Sequence, residues 1–470
     1  MTNNCNHNRP TSRSDTAELL RRHDRKGPRY TSYPTAIEFK NDLGHEQYLE
    51  LLTRANAKPD EPLSMYMHLP FCESRCTFCG CNVIITPHHE VAIPYIELLE
   101  KEIGMLAEKL PDRRTFSQLH LGGGTPTFHP PKDLRRILGR VFEFFTPTEN
   151  AELAVEVDPR VTTEEHIKVL AELGFNRISM GVQDLTPKVQ DAIGRIQTLE
   201  QTKAIVDQAR ANGYTGINVD LIYGLPHQTE ESFETMLESV LSLRPDRAAV
   251  YSFAWVPGIK GNQRYIDEAM LPSGDLKFEL FAIAREQFLK AGYEPIGMDH
   301  FALPEDELSH ALREGRLRRN FQGYATIPAD DVVGLGISSI GDISGSYVQN
   351  EKKLSTYRQA LDADQFPAFR GISRDDDDGI RRTLIHELMC NFRVDKRDIE
   401  STYGIKFDEY FATDLIELAE LVESGLANID AESISATATG ELFVRNLAMC
   451  FDRYRRDGSR DGKQVFSRTV

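Results

Sequence analysis

Long apolar runs are missing. Nowhere among the 470 residues do the ~20 consecutive apolar positions of a bilayer-spanning helix occur, which excludes a membrane span. Positive charge is also in deficit. The 55 Lys and Arg stand against 72 Asp and Glu, a net charge of −17, so no sequence-wide cation for nucleic acid exists. Internal repeats and low-complexity tracts are absent, and the first 15 residues lack the apolar centre of a secretory leader. A cytoplasmic location is therefore expected. With 40% apolar and 27% charged residues, the composition is that of a globular chain and not of a disordered one.

Cysteine is scarce and unevenly placed. Of seven, Cys72, Cys76, Cys79 and Cys81 crowd one short segment, whereas Cys5, Cys390 and Cys450 are scattered. In a reducing compartment such clustering favours a metal site over disulfides. Cys390 and Cys450 lie in apolar helical surroundings and are expected as packed thiols.

Three regions are expected: an N-terminal arm over 1–60, a catalytic domain over 61–365 and a mainly helical domain over 366–470. In the middle region, short runs rich in β-branched and aromatic residues recur at 64–70, 118–124, 153–159, 177–183, 217–226 and 248–255. Helical spacing fills the gaps, for example at 94–110 after Pro94, and at 162–173 and 199–212, each closed by a glycine, Gly174 or Gly213. Alternating strands and helices imply a parallel sheet, here a partial (β/α)6 barrel whose site would lie where strands end. A further element is expected at 293–302, and loop at 320–331. The carboxylate run Asp375–Asp378 reads as a helix N-cap in preference to a metal site.

The segment HLPFCESRCTFCGCN (68–82) follows the first strand directly. CxxxCxxC spacing lets one loop wrap an iron–sulfur cubane, with Cys72, Cys76 and Cys79 on three irons and the fourth iron open to a ligand. The alternative is a structural zinc held by three cysteines with Cys81, His68, His88 or His89. Cys81 itself could be a ligand, a redox or hydrogen-donating group, or a packed thiol. Gly122, Gly123, Gly124, Thr125 and Pro126 end the second strand, where backbone without Cβ atoms can approach an amino-acid moiety. Glu156 ends the third strand and could accept from ribose hydroxyls, and Asp220 lies on the fifth. A charge within an apolar strand is costly unless paired, so each carboxylate is either a site group or a structural partner.

These motifs resemble the radical S-adenosylmethionine (SAM) superfamily. The resemblance implies one [4Fe-4S] cluster whose open iron binds SAM, releasing a 5′-deoxyadenosyl radical on reduction. It further implies Tyr66, Phe78, Gly123, Gly124, Thr125, Glu156, Gln183, Arg195, Asp220, Ala254 and Ile340 as SAM contacts, with Arg195 suited to a carboxylate, and a second SAM beside the first. Cys81 and Asp220 are the expected catalytic residues, Cys81 as a non-ligand.

GPRYTSYPTA (27–36), LGGGTPT (121–127), VEVDPR (155–160), DLIYGLPHQT (220–229), GMDHFA (297–302), NFQGY (320–324) and the terminal FSR (466–468) extend the likeness over nearly the whole chain. They resemble the family of oxygen-independent coproporphyrinogen III dehydrogenases of haem biosynthesis. That likeness implies oxidative decarboxylation of two propionates to vinyl groups and a monomer; an electron donor such as a flavodoxin or ferredoxin is expected. The competing relative is a haem-binding chaperone, which typically lacks the counterparts of Cys81 and of residues 27–36. A substrate with four carboxylates needs local cations on so acidic a protein. Arg29, Arg318 and Arg319 are the candidates, against simple surface pairing, with Asp299 and Gln322 as further substrate contacts.

Overall fold

The structure, a computed structural model, describes residues 18–19, 21–327 and 331–456. Cys5, the polar start and the FSR motif lie outside the described residues. No described helix is long and apolar enough to cross a membrane.

The six runs read from the sequence become β1 (Leu63–Leu69), β2 (Thr115–Gly123), β3 (Thr146–Val157), β4 (Arg177–Gln183), β5 (Gly216–Tyr223) and β6 (Arg247–Ser252). They are adjacent in that order and all parallel. Burial on both faces explains why they read as nearly continuous apolar runs: six of seven positions in β1 are buried. Between them lie the expected helices, Ile93–Lys109, Glu164–Glu172 and Leu199–Ala211. Thr163 and Thr198 cap the last two through their side chains, and Gly174 and Gly213 follow the C-caps at φ 92° and 82°.

The sheet is larger than six strands. It continues beyond β6 through the antiparallel pair β7 (Glu294–Ile296) and β8 (His300–Ala302), the element expected at 293–302. Beyond β1 it gains β9 (Val332–Leu335), β10 (Ile340–Ile343), β11 (Ser346–Asn350) and β12 (Ala368–Ser373), and β9 runs parallel to β1 as a seventh parallel strand. Two buried carboxylates hold β9 there. Asp331 accepts from Arg113 at 2.5 Å and from the Ser344 N–H at 2.6 Å. Glu102, on the Ile93–Lys109 helix, accepts from the Gly336 N–H at 2.7 Å, the Tyr357 hydroxyl at 2.6 Å and the Asn350 amide at 2.7 Å. Where loop was expected at 320–331, Arg318–Asn320 pairs with Gly323–Ala325 in a short hairpin.

After β12 a second core forms, built on the helix Asp376–Asn391. Asp375 caps it by accepting from the Asp378 N–H at 2.8 Å, as the carboxylate run predicted. Three short strands, Arg393–Asp395, Ala427–Ile429 and Ser433–Ala436, make a small antiparallel sheet in this region. The arm divides between the cores: Tyr30 and Tyr33 are buried in the second, whereas Tyr48, Leu51 and Leu52 are buried in the first. Cys390 and Cys450 are buried, and Cys450 donates to the Asn446 carbonyl at 3.4 Å.

Candidate active site

The cysteine loop springs from the end of β1. A short parallel pairing of Phe71–Cys72 with Ile84–Ile85 closes its base, and Thr125 and Gly124 tie it to the end of β2 through N–H bonds to Phe71 and Leu69. A Cβ on Gly124 would lie 2.6 Å from the Pro70 carbonyl, so only glycine lets β2 and the loop approach this closely. The glycine run thus serves protein–protein packing as well as any ligand: a Cβ on Gly122 would meet Glu156 at 2.9 Å.

Cys72, Cys76 and Cys79 share one cavity of about 330 Å³ with Phe78, Cys81 and the ends of β2 to β5. Each thiol has a polar neighbour: the Thr125 hydroxyl 3.4 Å from Cys72 Sγ, the Cys81 N–H 3.4 Å from Cys79 Sγ, and the guanidinium groups of Arg160 and Arg195, each 3.8 Å from Cys76 Sγ. Burial pushes the Cys72 thiol up to about 11, so a bound cation would be needed to hold it as a thiolate near neutral pH. The hydrogen bond between Cys79 and Cys81 pulls the first thiol down and pushes the second up. Cys79 is thereby poised as a thiolate and Cys81 as a neutral thiol. Among the described residues no three His, Cys, Asp or Glu side chains are gathered closely enough to hold a single ion. The thiols instead stand around a cavity, an arrangement suited to a multi-iron cluster.

Sequence reasoning missed what grips the outside of this loop. Asn262, buried and 186 residues after Cys76, donates through Nδ2 to the carbonyls of Cys76 (3.3 Å), Thr77 (2.8 Å) and Cys79 (3.0 Å). Gln263 adds a bond to the Phe78 carbonyl at 3.1 Å. No motif marks either residue, because the contact is purely tertiary.

Opposite the thiols, Glu156, Ser179, Gln183, Arg195 and Asp220 line the cavity. Gln183 sits at φ 66°, a left-handed conformation that is uncommon for a residue with a side chain and frequent at functional sites. Burial works against charge on Glu156, but the His120 ring at 3.0 Å and the Gly123 N–H at 3.3 Å hold its carboxyl below the ordinary value. Asp220 goes the other way. Burial and the charge of Glu156 push it up to about 6, against hydrogen bonds from Asn218 (2.9 Å) and Ser179 (3.2 Å).

Arg195 was expected to face a ligand carboxylate, but its charge is already met. It donates to Asp158 at 2.8 Å, to the Gly181 carbonyl at 2.7 Å and to Gln197 at 3.1 Å; its buried Nε alone has no hydrogen-bond partner. Asp158 and Arg160, both in the VEVDPR motif, belong to this network and were overlooked although they flank Glu156.

Two further cavities continue inward. One of about 150 Å³, inside the barrel, shares Glu156, Ser179 and Asp220 with the cysteine cavity and adds Tyr251, His300 and Gln322. The next, of about 240 Å³, shares Gln118, Asn320, Gln322 and Ala325 with it and is lined by Arg318, Arg319, Arg382, His386 and Ile340. Burial and four arginines, Arg382, Arg319, Arg374 and Arg318, keep the His386 imidazole neutral. Asp342 pairs with Arg374 and Arg382, Glu387 with Arg318, and Asp299 lies within reach of the charge on Arg319, while Arg319 keeps a buried Nε without a hydrogen-bond partner. Arg382 and His386 carried no motif, yet their i, i+4 spacing places both on one face of their helix.

Three expected SAM contacts are not among the residues that line the cysteine cavity, although Tyr66 adjoins its Glu156 and Cys81. Tyr66 is hydrogen-bonded to His68 Nδ1 at 3.1 Å, the Ala254 carbonyl accepts from Gln263 at 3.1 Å, and Ile340 lines the arginine-rich cavity. Arg29 and Asp299 form a buried-side ion pair with one another. Although burial opposes its charge, Arg29, His300 and Arg319 hold Asp299 well below the usual carboxylate range. Arg29 is therefore not a free cation.

Comparison with known proteins agrees with this geometry. Residues 66–240 match the radical SAM superfamily and residues 375–443 the HemN C-terminal domain. The oxygen-independent coproporphyrinogen III oxidase of Escherichia coli (strain K12) is 44% identical over 452 residues, 96% of this chain and 98% of that protein. That of Pseudomonas aeruginosa is 42% identical, over 97% and 98%. The solved structure of coproporphyrinogen III oxidase (HemN) from Escherichia coli, described as a radical SAM enzyme, superposes with a TM-score of 0.88 at 45% identity, covering 90% of this chain and 97% of that one.

Proposed function

The chain belongs to the family of oxygen-independent coproporphyrinogen III oxidases, and we propose that Cys72, Cys76 and Cys79 hold its [4Fe-4S] cluster while the strand ends opposite them bind SAM. The enzyme is a radical SAM oxidoreductase that converts two propionates of coproporphyrinogen III to vinyl groups in anaerobic haem biosynthesis. When bound and reduced, the cluster and SAM supply the hydrogen-abstracting radical.

The residues have separable tasks. Phe78, Gly123, Gly124, Thr125, Gln183 and Glu156 surround SAM, with ionised Glu156 accepting from ribose hydroxyls. Arg195 and Arg160 place positive charge beside Cys76, and Arg195 Nε is the one donor it has left for a ligand. Asp220, neutral below about pH 6, partitions the SAM side from the barrel interior and can donate a proton or a hydrogen bond there. Cys81 is a neutral thiol beside the cluster and not a ligand. The arginine-rich cavity meets substrate carboxylates, with Gln322 at its junction with the barrel interior. Electrons come from a flavodoxin or ferredoxin in the cytoplasm, and the chain acts as a monomer.

One observation carries this reading: three thiols and the strand-end groups Glu156, Gln183, Arg195 and Asp220 face a single cavity that opens toward an arginine-rich one. The test is an anaerobic assay of reconstituted protein with reductant, SAM and coproporphyrinogen III. Vinyl product with stoichiometric 5′-deoxyadenosine is expected; neither product from iron-replete protein would sink the reading.

A further inference from the structure

On a chain with 17 excess negative charges, the outward edge of the cysteine loop is ringed by cations. Arg75 donates to the Val83 carbonyl at 3.5 Å, and Lys260 Nζ donates to the Gly80 carbonyl. The Asn82 amide donates to the Lys352 carbonyl at 3.0 Å, which fixes Lys352 beside the same turn. Arg370, on β12 with its Nε donating to the Gln349 side chain at 2.6 Å, adds the fourth cation. After burial, its charge and that of Lys260 lower the pKa of Lys352, the sign of like charges held close together.

None of these four cations forms an ion pair with a carboxylate among the described residues, whereas surface arginines elsewhere, such as Arg136 with Glu100 and Arg313 with Glu294, do. The carboxylates next in sequence are turned elsewhere: Glu73 to His89 and Glu351 to Thr356. Arg75, Gly80, Cys81 and Lys352 are exposed, and Ile259, 60% exposed, adds an apolar contact beside Lys260.

A small ligand does not account for this group, because Lys352 and Arg370 line none of the three cavities. At this edge Gly80 and Cys81, which directly follow Cys79, are exposed to solvent. Resting on the cluster reading above, we propose that the face around Gly80–Val83, with Arg75, Lys260, Lys352 and Arg370, is the docking site of an acidic one-electron donor protein. Encounters of this kind use small, polar interfaces steered by opposite charge, with an apolar contact near the centre.

The double variant K352E/R370E tests this, since neither side chain grips the cysteine loop. Cluster reduction is followed by absorbance in stopped flow at low ionic strength, with a flavodoxin hydroquinone of net negative charge or with photoreduced deazaflavin, an uncharged small reductant. The flavodoxin rate should fall at least about tenfold, and the difference should close near 0.5 M salt, where screening acts within about 4 Å. The deazaflavin rate should not change. In the unaltered chain the flavodoxin rate should itself fall with salt, a readout that does not depend on the variant. An unchanged flavodoxin rate, or equal slowing with both reductants, overturns the docking site. Failure of deazaflavin to reduce any cluster in the iron-replete unaltered chain overturns the cluster reading beneath it.

Discussion

Around the cysteine cavity, nearly every functional group sits at the end of a parallel strand or in the loop that follows: Thr125 after β2, Glu156 on β3, Gln183 on β4, Asp220 on β5. The arginine-rich cavity draws on distant pieces of chain, with Arg318 and Arg319 from a hairpin, Ile340 from β10, and Arg382 and His386 from a helix of the second core. The first site is written into local geometry, where a glycine or a left-handed residue leaves little choice. The second exists only once two cores have docked. Chemistry that every member of the superfamily needs can be carried by the first, whereas recognition of one polyanionic substrate suits the second.

The sharpest way to separate the two cavities is Cys76→Ala. It should abolish the cluster and all turnover, measured as iron per chain and as vinyl product, whereas Cys81→Ala should keep its iron and lose turnover. Loss of iron from both would erase the distinction drawn between those thiols. Next in size, Arg382→Ala should raise KM for coproporphyrinogen III about tenfold or more, the value of one charge-assisted hydrogen bond, with SAM cleavage in the absence of substrate unchanged. A fall in SAM cleavage as well would mean that the cavities are not independent.

A smaller effect follows from Asp220. Its folded value of about 6 lies above the ordinary 3.8, so the folded chain keeps a proton that the unfolded chain has released. Stability from this group is complete below about pH 4 and is lost as pH rises through about 6. Asp220→Asn should therefore be more stable than the parent by about 1–2 kcal/mol at pH 8, with the difference vanishing near pH 4 in denaturant titrations. Smallest of all, Asp375→Ala removes the cap of the helix that bears Arg382 and should cost about 1 kcal/mol in unfolding free energy, with the iron content unaltered.

The same contrast governs what could be read in advance. Six strands, three helices, the Asp375 cap and the gathering of Cys72, Cys76 and Cys79 at one strand end were legible because each rests on local spacing: apolar runs bounded by glycine, a proline at a helix start, CxxxCxxC after a strand. β9 was not. Its four residues lie between an acidic stretch and glycines, and what makes it a strand is remote, the buried Arg113–Asp331 pair and the Glu102 bonds that seat it against β1. Asn262 was invisible for the same reason. Arg29 and Arg195 were candidates for ligand carboxylates, and a sequence does not record that Asp299 and Asp158 stand against them.

The grip of Asn262 on the cysteine loop has a consequence for biosynthesis. The two ends of that contact, Cys76 and Asn262, are 186 residues apart. At about 5–20 residues per second, a ribosome takes roughly 10–40 seconds to travel from one to the other. Throughout that interval the carbonyls of Cys76, Thr77 and Cys79 on the nascent chain lack the amide that later fixes them. Iron delivered early would meet three thiols on a loose loop; iron delivered after Asn262 has emerged and folded meets a cradle already shaped to receive it.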